Sequence, residues 1–148
     1  MKQLIACLAV ALFAVACNSD GGGNPTDPSQ VTVEFSVTDL VVGTGPQAAA
    51  GNAVTVHYTG WLYNPAGTNS KGTEFDTSLG GKPPLNFVLA AANIIPGFQQ
   101  GVVGMRVGGK RRIYIPPNLA YGSTGSQDGR IPPNASIVFE IELMTLVQ

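Results

Sequence analysis

Two places in this chain hold side chains with chemistry to offer. One is Phe75-Asp76, a carboxylate directly beside an aromatic ring. The other is the stretch "AYGSTGSQDGRIPP", Ala120 to Pro133, which carries Tyr121 at one root and Ile131, clamped by two prolines, at the other. Connecting loops are ordinarily short and polar. A phenol and a branched aliphatic side chain in such a loop leave two readings: the loop merely closes a turn, or it hangs over a site and both side chains point into it. The chemistry on offer is non-covalent. There is one histidine, His57, and no His/Cys/carboxylate cluster at metal-ligand spacing. Gly-x-Ser-x-Gly is absent, as is a phosphate-cradling loop followed by lysine. Ser123 and Ser126 have no histidine near them in sequence. What remains is an aromatic, apolar set with a few hydroxyls and one carboxylate. No metal and no cofactor are expected.

The elements that must position these residues are mostly strands. "VTVEFSVTDLVVGTG" from Val31 alternates apolar and polar residues and reads as one or two strands. "NAVTVHYTGWLY", Asn52 to Tyr63, is the clearest strand, with Val54, Val56 and Tyr58 on one face and Thr55, His57 and Thr59 on the other. Asn64 to Gly72 is expected to be a loop or bulge. "TEFDTS", "PLNFVLA", "GKRRIYIPP" and "ASIVFEIELMTLV" supply further strands. Lys110-Arg111-Arg112 reads as a solvated strand face. "IIPGFQQGVVGM" is the single helical candidate, with Pro96 in its first turn and Phe98 and Val102 four apart. Its glycines make it weak alone, so packing must hold it. The pattern predicts an α+β domain, with the helix packed on a mostly antiparallel, twisted sheet.

The first residues belong to something else. "MKQLIACLAVALFAVAC" has one early cation and then an uncharged apolar run too short to span a bilayer, so residues 1–16 are expected to be a secretory signal peptide. Two cleavage readings are open. Ala14-Val15-Ala16 fits ordinary signal peptidase, and the same residues before Cys17 resemble a bacterial lipobox. The thiol favours the second: Cys17 would be the sole cysteine of the mature chain, and acylation removes a free thiol from an oxidising compartment. Residues 17–30 then form a lipid-attachment cysteine and a disordered linker with nothing large and apolar to bury. The expected location is exported, in the cell envelope, held to a membrane at Cys17. The net charge of -1 gives no pull toward nucleic acid.

Four motifs in order, "VHYTGWL", "GTEFDTS", "IIPGFQQGVVGMRVGGKRRIYIPPNLAYG" and "IPPNASIVFEIEL", resemble the FKBP-type peptidyl-prolyl cis-trans isomerases over 31–148. The resemblance implies a five- to six-stranded antiparallel sheet wrapped around one short helix. It also implies an activity, the acceleration of X-Pro rotation in exported or envelope proteins. Asp76 and Tyr121 fall on the catalytic positions. Tyr58, Phe75, Leu85, Phe87, Ile94, Ile95, Phe98, Ile131 and Phe139 fall on the substrate-binding ones. The partners implied are proline-containing segments and macrolide inhibitors. Nothing in the chain resembles a dimerisation segment, so a monomer is expected. Phe98 replaces a frequent tryptophan, Leu85 a frequent aromatic, and Asn64 to Gly72 is an insertion. The alternative is a prolyl-peptide-binding chaperone or scaffold with weak turnover.

Overall fold

The computed structural model of the chain describes residues 31–91 and 93–148. The signal peptide, Cys17 and the linker expected over 1–30 lie outside the described residues. Six strands and one helix follow in order: β1 (Ser36–Val41), β2 (Ala53–Tyr63), β3 (Lys71–Thr77), β4 (Leu85–Val88), α1 (Pro96–Val102), β5 (Lys110–Ile115) and β6 (Ile137–Val147). They form one antiparallel sheet ordered β1-β5-β6-β2-β3, with β4 also paired to β2. This is the α+β architecture expected.

Strand β2 organises the site. One of its edges runs the whole length of β6, from Ala53↔Val147 to Leu62↔Ile137. Its other edge is shared between two short strands. β3 covers the far half, from Thr59↔Thr77 to Tyr63↔Lys71, and β4 covers the near half, from Ala53↔Val88 to Val56↔Leu85. Tyr58 falls where one partner leaves and the next has not arrived. There the buried Ser78 hydroxyl accepts the Tyr58 N–H at 2.8 Å, and the Ser78 N–H bonds the Tyr58 carbonyl at 2.9 Å.

The strand alternation read from β2 holds, since Val54 and Val56 are buried. On β6, Ile137, Phe139, Ile141 and Leu143 line the same core, with Ile113 and Ile115 from β5. Helix α1 lies on this face. Pro96 opens it, Phe98 and Val102 are buried, and so are Gly97 and Gly101. Those two glycines explain a helix of such weak propensity. A Cβ on Gly97 would sit 2.3 Å from Ile115 Cγ2, and one on Gly101 would sit 1.9 Å from Ile113 Cδ1. Only bare backbone lets the helix settle this close to β5.

The first stretch yields a single strand, Ser36–Val41, within the one or two expected and exposed along its length at the edge of the sheet. Two expectations change. The segment 64–72 is not wholly a loop. It turns through Thr68–Ser70 and then enters β3 at Lys71, because the pair Tyr63↔Lys71 extends the hairpin. The basic run on β5 is not simply solvated either. Arg111 donates to the carbonyls of Gly101 and Val103 at the end of α1, at 3.0 and 3.1 Å, and pairs with Asp39 on β1 at 2.6 Å. A cation on the last helical carbonyls is favourable.

On the opposite face Glu140 collects three cations: Lys71 at 2.7 Å, Arg112 at 2.8 Å and Lys110 at 3.8 Å. Burial alone would raise its pKa. The Lys71 and Arg112 bonds outweigh that and hold it below the usual carboxylate value. A depressed carboxyl stabilises the fold above its unfolded pKa, and the contribution is lost as pH falls through the folded value. Glu140→Gln is expected to lower unfolding free energy by about 1–2 kcal/mol at neutral pH. In urea titrations the gap between wild type and variant should close as pH falls below about 4. A gap independent of pH would assign the loss to packing.

Candidate active site

The cavity that the fold builds lies between α1, the gap beside Tyr58 and the loop after β5. Its volume is about 360 Å³, and Tyr58, Phe75, Asp76, Leu85, Ile94, Ile95, Phe98, Tyr121, Ile131 and Phe139 line it. Ten of the positions singled out in sequence therefore meet around one hollow. Phe87 does not line it. Its ring packs at 5.9 Å and 61° against Phe98, so it supports the floor from outside.

Phe139 is the centre of the wall. Its ring meets Phe98 at 5.0 Å, Phe75 at 5.5 Å and Tyr58 at 5.9 Å, each edge to face. Gly60 permits this, because a Cβ there would lie 2.6 Å from both Phe139 and Phe75. The glycine of "HYTG" is thus a site residue that its lack of a side chain concealed. Gln99 is another. Its amide bonds the carbonyls of Ala91 and Ile94 at 2.9 Å and accepts the Ala90 N–H at 2.8 Å, fixing the turn that presents Ile94 and Ile95.

Asp76 sits at the cavity edge. The Tyr58 hydroxyl donates to Oδ2 at 2.6 Å, the Thr77 N–H donates to Oδ1 at 2.9 Å, and Lys82 Nζ lies 3.3 Å from Oδ1. Burial pulls the Asp76 pKa up, but the Tyr58, Lys82 and Thr77 bonds leave it below its ordinary value. Burial, followed by the bond to Asp76 and its charge, pushes the Tyr58 hydroxyl well above the ordinary phenol. Burial and the charges of Asp128 and Asp76 raise Tyr121 as well. At neutral pH Asp76 is therefore a carboxylate, and the Tyr58 and Tyr121 phenols are protonated. His57, on the other face, meets Ser78 Oγ at 3.0 Å, as a hydrogen-bonded strand residue should.

The loop over the cavity is self-bonded. Ser126 and Ile131 exchange two bonds: the Ser126 N–H reaches the Ile131 carbonyl, and the Ile131 N–H reaches Ser126 Oγ, both at 2.9 Å. Gly125, at φ +73°, allows the fold-back, since a Cβ there would lie 2.4 Å from the Ile131 carbonyl oxygen. Asn93, Ser126, Asp128 and Arg130 complete the rim. Their polar types gave no apolar signal to find them by. Among the described residues no group of three His, Cys, Asp or Glu side chains is placed to hold a metal.

Residues 45–144 match the model of the FKBP-type peptidyl-prolyl cis-trans isomerases. The chain is 42% identical over 112 residues to an FK506-binding protein of Neisseria meningitidis serogroup A, covering 76% of this chain and 95% of the relative. It is 37% identical over 144 residues to FK506-binding protein 2 of Dictyostelium discoideum, covering 97% and 98%. Among solved structures, it resembles AtFKBP13 with a TM-score of 0.65 at 35% identity, over 80% of this chain and 98% of that one. A peptidyl-prolyl cis-trans isomerase from Pseudomonas syringae pv. tomato gives 0.63 at 34%, over 83% and 84%.

Proposed function

The chain belongs to the FKBP-type peptidyl-prolyl cis-trans isomerases, and from that premise we propose that the capped cavity rotates X-Pro bonds by non-covalent catalysis. The observation that carries this reading is the joint placement of a three-phenylalanine wall and a phenol–carboxylate pair around one hollow. Rotation of the amide breaks its resonance, against a barrier of roughly 18–20 kcal/mol. The twisted amide has less charge separation than the planar one, so dry walls favour it over the ground state. An acceleration on the order of 10⁴ requires only about 5–6 kcal/mol. Phe75, Phe98 and Phe139 supply the walls, and Ile95 closes the helix side. Tyr121, 37% exposed on the flap, donates its hydroxyl to the substrate carbonyl. Asp76, held by Tyr58, presents a fixed dipole to the twisting amide, and no proton moves.

The test is a protease-coupled assay on X-Pro tetrapeptides. Asp76→Ala is expected to lower kcat/KM about tenfold or more. Tyr121→Phe, which removes one hydrogen bond, should lower it about two- to tenfold. Full activity in both variants would remove these two residues from the mechanism. Binding of prolyl peptides without acceleration by the wild type would support the second reading, a holding chaperone or scaffold. The Phe98 ring favours that reading, since it is smaller than an indole and leaves the floor less filled.

The setting proposed is export, with clients among envelope proteins and a lipid on Cys17 as anchor. Its support is the leader and the lone mature thiol. Mass spectrometry of the mature N-terminus decides it: an acylated Cys17 supports the anchor, and an unmodified terminus after ordinary cleavage removes it. Proline-containing segments are the substrates, and macrolides of the FK506 type are expected to enter the same cavity.

A further inference from the structure

On the loop over the cavity mouth, the side-chain donors of Arg130 outnumber the acceptor sites left on Asp128. Arg130 lines the cavity with its side chain 61% exposed. Its Nη1 donates to the Phe75 carbonyl at 3.1 Å, latching the flap to β3 beside Asp76, and its Nε faces Asp128 Oδ2 at 3.2 Å. A guanidinium has five N–H donors, so three are left without a partner among the described residues. Asp128 is nearly spent. Its Oδ1 accepts the Ser126 hydroxyl at 2.6 Å and the Arg130 N–H at 3.1 Å, and its Oδ2 takes Arg130 Nε. On the far side Asp76 is engaged by Tyr58, Thr77 and Lys82, while the Lys82 ammonium has only that one acceptor among the described residues. A peptide seated in the cavity meets carboxylates already bonded and cations with donors to spare.

We propose that Arg130 is a specificity-determining residue: its free guanidinium edge pairs with an acidic side chain flanking the substrate proline, so that acidic neighbours are preferred over neutral ones and basic ones are disfavoured. The inference rests on the cavity being the isomerase site. A planar fork suits a carboxylate better than a lysine ammonium does. The pair is solvent-exposed, so the effect is modest and sensitive to salt.

The experiment compares kcat/KM for prolyl peptides that differ only in Glu, Gln or Lys, placed before the proline in one series and after it in another. The wild type should favour Glu over Lys by about two- to tenfold in at least one series, with the ratio shrinking at high salt. Because each variant is read as a ratio, any loosening of the flap cancels. Arg130→Gln should bring the ratio close to one, Arg130→Lys should keep part of it, and Asp128→Asn should raise it. A wild-type ratio of one in both series, with the Gln peptides turned over normally, overturns the role of Arg130 and leaves the site intact. So does a wild-type preference that survives in Arg130→Gln. Absence of turnover for every peptide overturns the reading of the site, and this inference with it.

Discussion

Phe139→Ala is expected to remove about 3–5 kcal/mol of stability and most of the activity. The side chain is 4% exposed and contacts three other rings. Its loss leaves a cavity that the rigid strands β2 and β6 cannot collapse to fill, and it frees Phe75, Tyr58 and Phe98 from their common edge contacts. Small domains hold only about 5–15 kcal/mol in total, so the variant must be assayed at low temperature, with its folded fraction set from a urea curve. Phe139→Leu separates two roles. Leucine keeps an apolar wall of nearly the same size but loses the ring edges, at roughly 1–1.5 kcal/mol. If low polarity does the catalytic work, Phe139→Leu keeps most of kcat while Phe139→Ala loses it. Equal losses in both would show that aromatic geometry, and not dryness, governs turnover.

Most of the site could be read from the chain because its members lie in contiguous motifs that resemble those of the isomerase family, on strands, at one helix start and at the root of one loop. Tyr58, Phe75, Asp76, Phe98, Tyr121 and Phe139 are of this kind. What could not be read depends on cross-strand register. Phe87 sits on the same face of β4 as Leu85, yet the β4–β2 pairing places its ring outside Phe98 and away from the hollow. Lys71 looked like loop until the pairing with Tyr63 continued β3 to meet it, and that pairing also brings its ammonium over Trp61, 4.0 Å from the ring centroid. Arg111 and Arg112 are neighbours in a basic run, but strand alternation sends one to the helix end and the other to Glu140. A one-dimensional reading of charge does not separate them. The glycines of α1 make it weak alone, as expected, and only the distance to β5 shows how packing holds it.

That distance sets up the second large effect. Gly101→Val is expected to destabilise the protein by at least about 3 kcal/mol and to displace Phe98, so that activity falls with stability. Two effects compete at this position. Replacing a helical glycine gains about 0.5–1 kcal/mol of propensity when the new residue is alanine. Against it stands overpacking: the new Cβ would lie 1.9 Å from Ile113 Cδ1, 2.8 Å from Cγ1 and 3.1 Å from Cγ2, and Ile113 is fully buried. Overpacking wins, because Ile113 has no solvent-facing rotamer to escape into, so even Gly101→Ala should cost about 1–2 kcal/mol net. Ile113→Val removes Cδ1, the atom in the worst conflict, and alone costs about 0.5–1.5 kcal/mol. Combined with Gly101→Ala, it should leave the protein no less stable than Gly101→Ala alone, a coupling of about 1 kcal/mol in a double-mutant cycle read by urea unfolding. Strict additivity would mean that the helix lifts from β5 as a body when Gly101 is filled, and the close seat of α1 would then owe nothing to the fit between Gly101 and Ile113.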